Sequence, residues 1–147
     1  MRRIAFIVAA LLCATGAFAA DTRSYVTPDG FNAATSPPYS VGVMAGGAYY
    51  VAGHLGVDPA TGQVATDVEH EAHFVLDQVK TTLQKAGLTM DDLVSVTIYC
   101  TDLSLYEKFN SIYRGYFHDH YPARAFIGVD KLVRGAHFEI QAIAVKK

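Results

Sequence analysis

His70-Glu71-Ala72-His73 comes within one residue of a zinc-protease pattern, in which two histidines four apart share a helix face and a glutamate acts as base. Here the histidines are three apart, so that geometry fails. His118-Asp119-His120 is a second histidine pair. Both groups are expected on solvated helix surface or loop, and no metal is expected. Other frequent mechanisms are removed by absent motifs. There is no GxSxG elbow, no GxxxxGK[ST] loop and no GxGxxG, and the glycines at 42, 46, 47, 53 and 56 have the wrong spacing for a dinucleotide loop. Cys100 alternates with apolar residues, which suits a buried small hydrophobe better than a nucleophile.

The remaining concentration of chemistry-bearing residues lies near the C-terminus. It runs Tyr121-Pro122-Ala123-Arg124-Ala125-Phe126-Ile127-Gly128-Val129, then Gly135-Ala136-His137-Phe138-Glu139-Ile140-Gln141-Ala142-Ile143-Ala144-Val145. An Arg after a Pro-Ala turn is, by itself, usually a surface residue, and a Glu on a strand usually faces water. Their order and separation single them out. In both, the sequence resembles the Rid (YjgF-like) family, whose signature sets an Arg after Pro-Ala and then a Glu within an E-I-x-A-I-A strand. The resemblance continues in Pro38-Tyr39-Ser40-Val41-Gly42-Val43, in Ala52-Gly53-His54 before the Asp58–Gly62 turn, and in Phe109-Asn110-Ser111-Ile112-Tyr113.

That resemblance implies a chorismate-mutase-like α+β fold assembled as a homotrimer, its sheets forming an inner barrel and its pockets lying between subunits. It also implies hydrolysis of 2-imino or enamine acids to 2-oxo acids and ammonia, without metal or organic cofactor. Arg124 would clamp the substrate carboxylate and Glu139 would activate the hydrolytic water, while Tyr39, Gly53 and Asn110 match positions that line or shape the pocket. The residue types suit the chemistry. A guanidinium fork binds a planar carboxylate bidentately, and holding that end places the imine carbon beside an ordered water. One carboxylate can take the proton from water and return it to the departing amine. Two positions depart from the family pattern. Phe126 stands where imine-hydrolysing members carry Cys, and Ala52 where they carry Ser, so Phe126 is expected to narrow or reshape the pocket. A non-catalytic module binding small carboxylates or a protein in the same cleft is the alternative. His54 borders the cleft or is a plain strand residue.

The elements that must position these residues are legible from periodicity. Asp21 to Pro38 is rich in turn formers and reads as an irregular lead-in. Tyr39–Met44 and Ala48–Gly56 read as strands joined at Gly46-Gly47. Val68, Ala72, Val75, Leu76, Val79, Leu83 and Ala86 form one helical stripe, with Asp67 as N-cap and Gly87 just past the end. Leu93–Thr101 alternates as a strand that buries Val94, Val96, Ile98 and Cys100. A second helix is expected over about Ser104–Phe117. Arg124–Leu132 and Ala136–Val145 read as the last strands, turning near Arg134-Gly135. Two helices among the strands suggest one sheet covered on a single face. The bare face, apolar in part, is then a surface for self-assembly.

The first residues differ from the rest. Arg2 and Arg3 precede an apolar run, Ile4 to Ala14, and Gly16-Ala17-Phe18-Ala19 offers small residues for cleavage before Ala20. The run is shorter than the ~20 residues that span a bilayer, so no stable membrane anchor is expected. The expected division is a signal peptide over 1–19 and one domain over 20–147, exported to the periplasm or secreted. Cleavage removes two Arg and no acid, taking the formal charge from −2 to 10 − 14 = −4. Neither form offers a basic footprint for nucleic acid.

Overall fold

The computed structural model describes residues 23–146. The leader expected over 1–19 lies outside the described residues. Six strands and two helices follow in the order β1 (Ser24–Val26), β2 (Gly42–Ala45), β3 (Ala48–Leu55), α1 (Val68–Lys85), β4 (Leu93–Cys100), α2 (Tyr106–Arg114), β5 (Ala123–Gly128) and β6 (Phe138–Val145). The strands make one sheet, ordered β1-β2-β3-β6-β4-β5, antiparallel throughout except for the parallel β4–β5 pair. This is the α+β architecture expected from the sequence. Both helices lie on one face, where Val75, Leu76, Val79 and Leu83 of α1 and Phe109 of α2 meet Val51, Ile98, Phe138 and Ile140 of the strands. Asp67 caps α1 by accepting from the Glu69 and His70 amides, and Gly87 follows its end at φ 70°.

Several features differ from the periodic reading, and β2 begins at Gly42 rather than Tyr39, which lies in the bend before it. Ser24–Val26, inside the turn-rich lead-in, pairs with Gly42–Met44 as a short edge strand, an extended stretch too brief to show a period. The strand expected over Arg124–Leu132 stops at Gly128, and β5 and β6 do not pair. The crossover through α2 returns the chain parallel to β4, which places β5 at the sheet edge. β6, apolar on both faces, takes the protected place between β3 and β4. Val94 is exposed, because a register shift between Leu93 and Ser95 lets Leu93 take the core position. The second helix is shorter than expected, because a 3₁₀ turn at Leu103–Leu105 precedes α2 and the helix ends at Arg114.

Candidate functional site

Arg124 stands on the edge strand β5 opposite Val96, a core residue, so its side chain leaves the sheet on the helix-covered face. There α2 meets it. Arg124 Nη2 donates to Asn110 Oδ1 at 2.8 Å, and the guanidinium lies 4.7 Å from the centre of the Tyr113 ring. The Tyr113 hydroxyl is buried and has no hydrogen-bond partner among the described residues. Burial pushes this phenol well above the ordinary tyrosine value, against the pull of the Arg124 charge, so it stays protonated. Tyr106, Asn110, Tyr113, Arg114, Tyr121 and Arg124 line a cleft of about 250 Å³. Phe126 is not among them. Its ring packs edge-on against Tyr106 and Phe109 at 5.0 and 5.7 Å, bracing the wall behind Arg124.

Glu139 belongs to a second cleft. Its neighbours on β6, Phe138 and Ile140, are buried beneath the helices, so alternation sends Glu139 to the bare face. Across from it β3 bulges, with Ala52 and Gly53 together opposing the single residue Gln141. A side chain at Gly53 would displace the Glu139 carboxylate, because a Cβ there would stand 2.1 Å from Glu139 Oε1. Tyr39, Pro37, Gly53, Arg134 and Glu139 share this cleft of about 670 Å³. His54, the next residue, is turned back into the core by the bulge. It is 8% exposed, with Nε2 3.0 Å from Thr82 Oγ1, and burial lowers its pKa to about 4. It is therefore a neutral core histidine that borders the cleft floor.

The expected site residues thus fall into two groups, Arg124 with Asn110 and Glu139 with Tyr39 and Gly53. The groups lie on opposite faces of the sheet. Arg124 is level with Ala142 of β6, two strands away, and Glu139 is three residues further along. From strand spacing and rise the two Cα atoms are roughly 14 Å apart. One chain does not bring them together.

One carboxylate of the His70–His73 group, expected with it on solvated helix surface, is buried instead. Glu71 on α1 is 0% exposed. Its Oε1 accepts from the His137 and Phe138 amides at 2.6 and 2.9 Å, and its Oε2 lies 2.7 Å from His137 Nδ1. These bonds anchor the start of β6 two residues before Glu139. The signal was present. Position 71 lies on the apolar stripe, three after Val68 and four before Val75, and an acid there needs buried partners. Among the described residues no cluster of three His, Cys, Asp or Glu could hold a metal ion.

Known proteins share this sequence family and fold. Residues 31–146 match the family described as endoribonuclease L-PSP. The 2-iminobutanoate/2-iminopropanoate deaminase of Salmonella typhimurium is 37% identical over 113 residues, covering 75% of this chain and 88% of that protein. The crystal structure of the Escherichia coli YjgF gene product superposes with a TM-score of 0.74 at 34% identity, covering 84% of this chain and 99% of the other. That of E. coli TdcF with bound serine gives 0.72 at 34%, covering 76% and 91%.

Proposed function

Since the chain belongs to the endoribonuclease L-PSP family, that of the YjgF and Rid proteins, we propose that it hydrolyses 2-imino acids to 2-oxo acids and ammonia, at sites shared between subunits of a homotrimer. The observation that carries this reading is the split of the two groups. Each chain offers an oriented guanidinium on one face and a carboxylate with cleared space on the other, so each subunit contributes half of two sites. Relatives at this level of identity are named imine deaminases. The ribonuclease of the family name has less support, since a chain of formal charge −2 offers no general attraction for RNA.

In this mechanism Arg124, held by Asn110, binds the substrate carboxylate through its fork. Glu139 of the partner subunit takes a proton from a water as the water oxygen bonds to the imine carbon. That proton passes to nitrogen to give a carbinolamine; Glu139 then takes the remaining hydroxyl proton and delivers it to the amine as C=O forms and the C–N bond breaks, releasing ammonia and the 2-oxo acid. The two clefts supply orientation, and the carboxylate supplies proton transfer. Residues 1–19 are proposed to direct export to the periplasm or beyond, and mature protein beginning at Ala20 would be the evidence.

Subunit mixing tests the shared site. Arg124→Ala and Glu139→Gln proteins are each expected to be inactive in imine-trapping assays. Randomly mixed trimers of the two should recover roughly a quarter of the wild-type sites, because intact halves meet at some interfaces. No recovery in verified hybrids would refute the intersubunit site. Saturable 2-oxo acid binding without turnover in the unaltered protein would instead make it a carboxylate-binding module.

A further inference from the structure

A monocarboxylate held by Arg124 leaves one charged group of the same cleft without a role, the Arg114 guanidinium. Arg114 is the last residue of α2 and follows Asn110 by four, so the two share one face of the helix. Asn110 is also the residue that receives the Arg124 hydrogen bond. Arg114 therefore stands about one helical turn, ~5 Å, beyond the point where Arg124 is fixed. Both arginines line the cleft, no acidic residue lines it, and among the described residues neither is in an ion pair. Two arginines without ion-pair partners in a small cleft are complementary to a compact dianion.

We propose that this cleft selects 2-imino acids bearing a second, distal carboxylate, with Arg114 as the specificity-determining residue. Arg124 takes the carboxylate beside the imine, and Arg114 takes the distal group. The carboxylates of an extended five-carbon diacid are separated by ~5 Å, close to the rise of one helical turn. At about 250 Å³ the cleft lies just below the range of drug-sized pockets, which suits a ligand of this size. Imine chemistry here rests on the deaminase reading, whereas the preference for a dianion can be measured without it.

The test is calorimetric binding of 2-oxoglutarate and 2-oxobutanoate to the mature trimer. Turnover of 2-iminoglutarate and 2-iminobutanoate would be measured in parallel. A charged distal contact predicts roughly tenfold tighter binding of 2-oxoglutarate. Arg114→Gln should bring the ratio of the two affinities to about one, Arg114→Lys should keep part of the preference, and Arg124→Gln should weaken both ligands. Equal affinities in the unaltered protein, or a ratio unmoved by Arg114→Gln, would overturn the assignment. A preference that persists while neither imine is turned over would support the dianion site and sink the deaminase reading alone. Turnover of both imines with equal kcat/KM would do the reverse.

Discussion

Gly53→Ala separates what this glycine does for the site from what it does for the fold. The Cβ it adds would stand 2.1 Å from Glu139 Oε1 and 3.1 Å from Glu139 Cδ. Ordinary contact begins near 3.4 Å, so the carboxylate oxygen must retreat by about 1.3 Å. The obstructing atom is the end of a rotatable side chain facing an open cleft, so Glu139 can swing aside at little cost to packing. Stability should therefore change by less than about 1 kcal/mol, as for a surface substitution. Catalysis has no such tolerance, since misplacing a reacting group by about 1 Å costs on the order of 100-fold in rate. The expected result is a large fall in kcat for imine hydrolysis, with KM and the urea midpoint nearly unchanged, because Arg124 and the core are untouched. Retention of kcat within a few-fold would remove Glu139 from the water-activating role. An unfolded or strongly destabilised variant would show that Gly53 serves the strand rather than the site.

Three further outcomes follow from the same contacts. Glu139→Gln should bind 2-oxo acids normally and lose roughly 100-fold or more in kcat, the span expected of a missing general base, and normal ammonia release from it would reassign the base. His54 has a folded pKa lowered from 6.5 to about 4, so as pH falls the unfolded chain takes up its proton first. The neutral form's contribution is whole above pH 6.5 and is lost toward pH 4, about 2 kcal/mol by pH 5 and about 3 kcal/mol in all. The stability difference between wild type and His54→Gln, from urea titrations at equal protomer concentration, should show this slope; a flat difference would refute it. Glu71→Ala strands the His137 and Phe138 amides in the interior and should cost about 3 kcal/mol in the same assay, with Glu71→Gln restoring most of it; equal losses in both variants would show that charge rather than hydrogen bonding matters there.

Long periodic elements were legible in the sequence because their burial is regular. The α1 stripe, its Asp67 cap and the Gly87 stop stand where spacing and capping chemistry place them. What the period missed were local breaks in it. The bulge at Ala52-Gly53 inverts which residue of β3 faces the core, so His54 is buried and Gly53 meets Glu139. The shift at Leu93–Ser95 does the same to Val94. No alternation rule announces a bulge, although glycine within a strand is a hint of one. Strand order was also hidden. The turn near Arg134-Gly135 suggests a hairpin, yet the β4–α2–β5 crossover sends β6 to the other side of β4. Glu71 and Thr82 are the opposite case, polar residues visible on the apolar stripe whose partners, the His137 and Phe138 backbone and the His54 ring, come from distant strands.

Placing Arg124 and Glu139 on opposite faces of one sheet has a consequence for regulation by concentration. An isolated protomer holds Arg124 and Glu139 roughly 14 Å apart on different surfaces, so under the proposed mechanism it has neither a complete site nor a weak one. Under the proposed trimer, activity per protomer should fall with the assembled fraction on dilution, rather than level off at a residual monomer value. The bare sheet face carries both the half-site of Glu139 and apolar side chains such as Ile143 and Val145. A substitution that weakens assembly through those apolar residues would remove activity without touching any polar group of the site. Loss of activity from such a variant, reversed by raising protein concentration, would tie catalysis to the interface more directly than any substitution within the clefts.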